Sequence, residues 1–339
     1  MKPSRFTHWM IFKSGAMFTI KEILQLIEAE IKNQPFGTQP KSLYEPIRYI
    51  MALGGKRIRP LLTTLAYSLY KNDSEKIIKY AAAVEAFHNF TLMHDDIMDN
   101  APLRRGKATV HEKWNTNTAI LSGDVMLVKV YDLFLDLDKD ILPTVLSLFN
   151  KCAAEVCEGQ QWDMDFELKN NVTEAQYIEM IRLKTAVLLG FSLELGALLA
   201  HAPEKERIAL REFGTLVGIG FQLKDDLLDV YADKKKFGKQ VGGDIVANKK
   251  TYLLIKAREK ARGNIKRELD FWLNAKKFNK QKKVKAVTAI YDQLNIGILA
   301  EQKIEECFSK GFEKLHVLPD SIPKQTLIRF TQELINRQS

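Results

Sequence analysis

Apolar residues recur with helical period along most of the chain. Ile20, Ile23, Leu24, Ile27 and Ile31 mark one face of a helix predicted over 18–32. Pro35, Gly37 and Pro40 make the next stretch a connector, and a second helix over 43–53 ends at Gly54-Gly55, a C-terminal cap signature. Pro60 suits the first turn of a third helix. Ile77, Ala81, Val84, His88, Thr91 and Asp95 then alternate steps of four and three, predicting a long helix that Pro102 stops soon after Asp99. Ser122-Gly123-Asp124 precedes another helical stretch, and Pro143 begins the next. Long helices follow over 177–200 and 208–231, and helices resume over 251–335. Gly214, Gly218 and Gly220 disfavour the helix they sit in, which predicts close packing against a neighbour. The pattern is all-α, a single domain over 17–339. Residues 1–16 carry basic and apolar side chains, no acid and no long apolar core, and are expected to be an extension without a structural role.

Composition narrows the partners. With 339 residues and 46% hydrophobic content the chain can bury one large core, and 18 glycines and 10 prolines interrupt few segments. Cys152, Cys157 and Cys307 show no CxxC spacing, which argues against zinc and fits a reducing cytoplasm. The nearest approach to a membrane span, 186–200, carries Glu194 and is too short, so no transmembrane segment is expected. The net charge of +9 raises nucleic acid or a membrane surface as partners. Many basic residues fall in phosphate-type motifs, Lys276 to Lys285 look like a solvated helix face, and no basic-plus-aromatic platform for nucleic acid is visible.

The chemistry is concentrated in residues 84–110. Asp95 and Asp99 stand one turn apart on one face, with Asp96 rotated by about 100°. Acids are disfavoured at the negative end of a helix, so a cation is expected, and oxygen ligands without cysteine suit Mg²⁺. Arg104 and Arg105 follow at once, and guanidinium groups either neutralise such acids or bind phosphate. Phe221 to Asp229 read FQLKDDLLD, a second DDxxD with Asp225, Asp226 and Asp229, followed by a lysine- and glycine-rich loop, 233–250, suited to a mobile lid. Lys56, Arg57 and Arg59 beside a helix start form an anion site. His88 lies seven residues before Asp95 on the same face and is read as a diphosphate contact, whereas His94 and His111 are assigned no role.

Two DDxxD motifs, GGKRIRP over 54–60, Arg104-Arg105-Gly106, Lys184-Thr185 and Gly238-Lys239 stand in an order that resembles the trans-isoprenyl diphosphate synthases. No distinctive motif follows Lys250. The resemblance implies a bundle of about ten or more helices around a central cavity, the isoprenoid synthase fold. It implies Mg²⁺-dependent head-to-tail condensation of isopentenyl diphosphate with an allylic diphosphate, three Mg²⁺ per active site and a homodimer. Lys56, Arg59, His88 and Arg105 would bind isopentenyl diphosphate; Arg104, Lys184, Lys239 and Lys249 would bind the allylic diphosphate. The family usually has a glycine just before the lysine here, where this chain reads Asn248-Lys249-Lys250, so Lys249 and Lys250 are alternatives for the substrate-facing position. Lys184, Thr185, Gln222 and Lys239 would serve catalysis, and all six aspartates would serve the metals. Gln161 and Asp165 are candidates to support metal-bound water. Phe90, Phe87 and Thr91 would floor the chain-elongation pocket, which implies mainly C15–C20 all-trans products. The alternatives are a synthase of C30 or longer chains, a class I terpene cyclase, and a non-catalytic regulatory subunit. The second DDxxD and GGKRIRP argue against the cyclase, and retention of all six aspartates argues against the subunit.

Overall fold

The structure, a computed structural model, describes residues 10–13, 16–232 and 242–336, with side chains from Thr19 onward. It is helical, as the periodicity requires, with two short antiparallel ribbons among the described residues. The backbone groups into two units, each built from discontinuous segments. The first comprises 1–151, 191–211 and 317–329, and the second 152–190, 212–316 and 330–339.

In the first unit, α1 (Ile20–Asn33) begins at a capping box in which the Thr19 hydroxyl accepts from the Glu22 amide and the Glu22 carboxylate accepts from the Thr19 amide. The residues before it differ from expectation. Met10–Lys13 pairs with Ala16–Thr19, because the apolar run offers backbone groups that an extended pairing satisfies. Helix α2 (Lys41–Ala52) and α3 (Ile58–Ser68) follow, and then α4 (Ile78–Met98), the centre of the unit. Ala81, Ala82, Ala83 and Ala86 keep α4 slender, so α1, α3 and α6 (Thr116–Phe134) pack around it.

Helix α4 ends in a Schellman cap. Asn100 is left-handed (φ +48°), the Ala101 amide donates to the Asp96 carbonyl at 2.9 Å, and the Asn100 amide donates to Ile97. The residues after Pro102 form a ribbon, Leu103–Arg104 against Lys107–Ala108, turned through Arg105 (φ +53°) and Gly106 (φ +75°). Two consecutive positive φ values make a tight type I′ hairpin turn. A short helix, α5 (Val110–Lys113), leads into α6.

In the second unit, residues of α7 (Leu142–Leu168) from Cys152 onward precede α8 (Glu174–Ile181), which Thr173 and Gln176 cap. The single long helix expected over 177–200 is interrupted. Arg182–Ala186 is a π-helical turn, after which α9 (Val187–Leu199) continues, its residues from Phe191 belonging to the first unit. Helix α10 (Glu204–Tyr231), in the second unit from Glu212 onward, carries the second acid motif. It is followed by α11 (Gly243–Ala247), α12 (Tyr252–Lys260), α13 (Gly263–Asn274), α14 (Lys280–Gln293) and α15 (Ile296–Lys314); α16 (Ile322–Ile335) comes last and belongs to the first unit up to Arg329. No helix among the described residues is long and apolar enough to cross a membrane.

Candidate active site

The first acid motif divides. Asp99 is exposed at the α4 cap and Asp95 is partly exposed one turn earlier, on the same face. Asp96, expected among the metal ligands, is 2% exposed, and both its oxygens accept from the Arg104 fork, at 2.7 and 2.8 Å. Its 100° offset turns it inward, where a carboxylate is stable only when paired. Asp96 therefore holds Arg104, on the first strand of the ribbon, against α4, and leaves Asp95 and Asp99 as the outward oxygen donors.

The basic motif divides as well. Arg57, left-handed at φ +47°, is buried and donates to Glu28 and Glu85, each at 2.7 Å, and to the Met51 carbonyl. Burial opposes its charge, but the two carboxylates outweigh burial and keep its pKa above the usual arginine value. Arg57 thus belongs to an internal ion-pair network, not to the anion site read from the sequence. Arg59 turns the other way, with Nη1 3.0 Å from His88 Nε2. Part of His88 reaches solvent, yet the surrounding protein and the charges of Arg59, Arg105, Arg104 and Arg57 push its pKa well below the ordinary value. A neutral ring that accepts an arginine N–H at Nε2 carries its own proton on Nδ1. The Arg105 guanidinium lies against Gly55, where a Cβ would sit 3.0 Å from it and φ is +150°. Burial, and then the charges of Arg57 and Arg104, lower the Arg105 pKa. Lys56 is exposed beside this group. Positive charge gathered around a neutral imidazole fits a polyanion.

Below Asp95 on α4, Thr91 Oγ1 donates to the His88 carbonyl at 2.8 Å. Phe90 packs edge-on against His94 at 4.7 Å and lies 5.7 Å from Phe87. Phe87 meets Phe149 at 5.1 Å, and Phe149 in turn meets Phe134, Phe191 and Tyr131. His94 lies over Gly123 on α6, with Nε2 3.2 Å from the Ile120 carbonyl.

In the second unit the π-helical turn is clasped from two sides. A Cβ on Gly159 of α7 would overlap the Lys184 backbone, and one on Gly218 of α10 would lie 2.7 Å from Ala186 Cα. The turn presents Lys184 to Asp163 at 2.5 Å, and Lys249 reaches the same Asp163 oxygen at 4.0 Å. Lys250 instead donates to the Glu167 carbonyl at 3.2 Å. Thr185 Oγ1 is 3.4 Å from Gln222 Oε1, and Gln222 Nε2 donates to Asp226 at 3.1 Å. The Tyr177 hydroxyl donates to the other Asp226 oxygen. Burial pushes the Asp226 pKa up to about 7, with Asp244 adding to it. Asp226 is thus an inward anchor, as Asp96 is, while Asp225 is exposed and Asp229 accepts from the Asp244 amide at 2.9 Å. Lys239 lies outside the described residues, as does the loop segment 233–241.

Gln161 and Asp165 correct the sequence reading. They hydrogen-bond each other at 2.8 Å on the exposed face of α7. Gln160 and Asp163 turn inward instead, and both polar side-chain atoms of Gln160 are buried without a hydrogen-bond partner among the described residues. The signal was available: Cys152, Val156, Gly159, Asp163 and Phe166 alternate steps of four and three.

The polyprenyl synthetase profile matches residues 40–291, which spans both acid motifs and the basic motif. The chain belongs to the polyprenyl synthetase family. It is 37% identical to a geranylgeranyl diphosphate synthase of Methanosarcina mazei, over 94% of this chain and 97% of that one. It is 44% identical to a short chain isoprenyl diphosphate synthase of Methanocaldococcus jannaschii, over 72% of this chain and 74% of the relative. Among solved structures, a geranylgeranyl pyrophosphate synthase superposes with a TM-score of 0.90 at 42% identity, covering 95% of this chain and all of that one. The family's all-α architecture accounts for the helices found here, and its members generally use Mg²⁺.

Proposed function

We infer that the protein is a trans-prenyltransferase that condenses isopentenyl diphosphate with an allylic diphosphate, yielding mainly C15–C20 all-trans prenyl diphosphate and pyrophosphate. The relatives named above support the reaction class and the short product. The observation that carries it is the group of Arg59, Arg105 and neutral His88, which is separate from the outward carboxylates and suits a second diphosphate. A cyclase, with one diphosphate to bind, has no use for it.

The donor set fits Mg²⁺: Asp95, Asp99, Asp225 and Asp229 offer hard oxygen, in partly or fully exposed positions. Among the described residues no three such groups form a ready cage, so water and substrate phosphates would complete the coordination. Three bound ions would supply positive charge to the departing pyrophosphate.

Lys56, Arg59, Arg105 and His88 hold isopentenyl diphosphate in this reading. Lys184 and Lys249 move from Asp163 to the allylic diphosphate, with Arg104 and Lys239 adding charge. Lys249 is the better candidate of the adjacent pair, because Lys250 is occupied by the Glu167 carbonyl. Thr185 gives its proton toward Gln222, and Asp226 with Tyr177 fixes Gln222. That chain leaves the lone pairs of Thr185 for the allylic cation. The allylic C–O bond breaks, the isopentenyl double bond attacks the resulting allylic cation, and the released pyrophosphate takes the proton lost from the adduct. We assign the protein to the cytoplasm and propose a homodimer. Leu121, Val128 and Leu135, 58–61% exposed at seven-residue spacing along α6 and its end, offer an apolar stripe for a second copy.

The test is incubation of purified protein with Mg²⁺, labelled isopentenyl diphosphate and C5, C10 or C15 allylic primers, with sizing of the product. Mg²⁺-dependent incorporation into C15–C20 chains is expected. Failure to consume isopentenyl diphosphate with any primer overturns the reaction; products of C30 or longer overturn the length.

A further inference from the structure

Residues 258–285 carry eleven lysines and arginines against three acids, a net charge of +8. The whole chain has a net charge of +9, so the remainder is nearly neutral. This segment closes α12 and includes α13 and the start of α14, which pack against each other in the second unit. Every basic residue in it except Lys283 is exposed. Lys283 is a structural staple: it is fully buried, donates to Asn248 Oδ1 at 2.6 Å and lies 4.3 Å over the Phe278 ring.

The charge is not simply a solvated face. Phe271 on α13 is 64% exposed, and Trp272 packs edge-on against it at 5.2 Å. Leu269 is the only fully buried side chain of α13, so the helix lies shallow on its unit. By helical phase Arg267 and Glu268 lie one turn before Phe271 on its face, and Lys276 and Lys277 follow the helix end.

We propose that the α13–α14 corner docks on an anionic lipid bilayer, with Phe271 and Trp272 entering the headgroup region and the surrounding lysines and arginines meeting lipid phosphates. An aromatic pair on a shallow helix within a strongly basic segment is the composition of an interfacial anchor. Charge complementarity selects an anionic surface. The open aromatic selects a bilayer over nucleic acid, which would find one largely exposed ring to stack on, whereas a headgroup region takes up a single apolar side chain. Charge and exposure alone select this corner, independently of the proposed reaction.

Co-sedimentation of the full chain with phosphatidylcholine vesicles, with and without phosphatidylglycerol, tests it. Binding to the anionic vesicles that weakens with added salt is expected. Phe271→Ser should weaken it by about tenfold. Replacing Lys276, Lys277 and Lys280 together by alanine should weaken it by about a hundredfold at low salt. Both variants should keep wild-type Tm and vesicle-free turnover. No binding to anionic vesicles, equal binding to neutral ones, indifference to both variants, or tighter binding to duplex DNA or RNA each overturns the proposal.

Discussion

Lys184 lies 2.5 Å from Asp163, and the Lys249 ammonium reaches the same carboxylate oxygen at 4.0 Å. One acid thus gathers two cations that the proposed reaction directs at one allylic diphosphate. Lys184→Ala is expected to impair the allylic substrate and to lower kcat by roughly 10²–10³-fold, the scale for losing a donor to a developing anion. Arg59→Ala, in the other unit beside His88, should mainly raise KM for isopentenyl diphosphate. Steady-state kinetics with each substrate varied in turn checks this, and equal effects on both substrates from both variants would contradict two separate diphosphate sites.

The outward and inward aspartates should separate by assay. Asp95→Ala and Asp225→Ala are expected to lower Mg²⁺-dependent turnover by at least about 10²-fold while leaving Tm near wild type, because neither is buried. Asp96→Ala removes the partner of Arg104 from a buried site and should cost about 1–3 kcal/mol of stability. Thermal unfolding read beside turnover distinguishes the two behaviours.

His88 gives a pH signature. Its folded pKa is held well below the ordinary value by burial and the nearby arginines. The unfolded ring takes up a proton as pH falls through about 6.5, and the folded one does not. Unfolding is then favoured by acid, with a slope of up to about 1.4 kcal/mol per pH unit below that point. His88→Gln should remove this part of the decline, so that Tm of the wild type falls faster than that of the variant on acidification. Parallel curves would contradict a neutral His88.

Product length should respond to α4. Phe90→Ala is expected to lengthen the products, and Phe87→Ala to extend them less. Phe87 is 1% exposed within the cluster around Phe149, so its truncation should also cost about 3–5 kcal/mol. Product sizing beside thermal unfolding reads both effects. An unchanged distribution in Phe90→Ala would remove it from the pocket floor.

The helices and the outward faces of Asp95 and Asp99 were legible because a period of 3.6 residues is a local property of the sequence. Features that depend on distant partners were not. Arg57 looked like its neighbours Lys56 and Arg59, and only Glu28 and Glu85, far away in sequence, turn it into an internal strut. Asp96 and Asp226 stand in the same motifs as their outward neighbours, but Arg104 and Tyr177 claim them. Gln161 and Asp165 were a phase error of a different kind, since the pattern of α7 itself points to Gln160 and Asp163. The ribbon over 103–108 had no apolar alternation to announce it, and depends on the positive φ that Arg105 adopts beside Gly106.

The π-helical turn at Arg182–Ala186 makes this stretch sensitive to count as well as to identity. Such a turn holds one residue more than the α-helix on either side accommodates. Deleting a single residue there lets regular helix run through with the flanking helices still close to in phase, and it removes the widened turn itself. The loss of Leu183, for instance, would leave Lys184, Thr185, Gly159 and Gly218 all present in the chain, yet abolish the wide turn that the two glycines clasp. Here the number of residues between Tyr177 and Gly190 is itself a heritable feature of the site, one that a comparison of residue types alone would pass over.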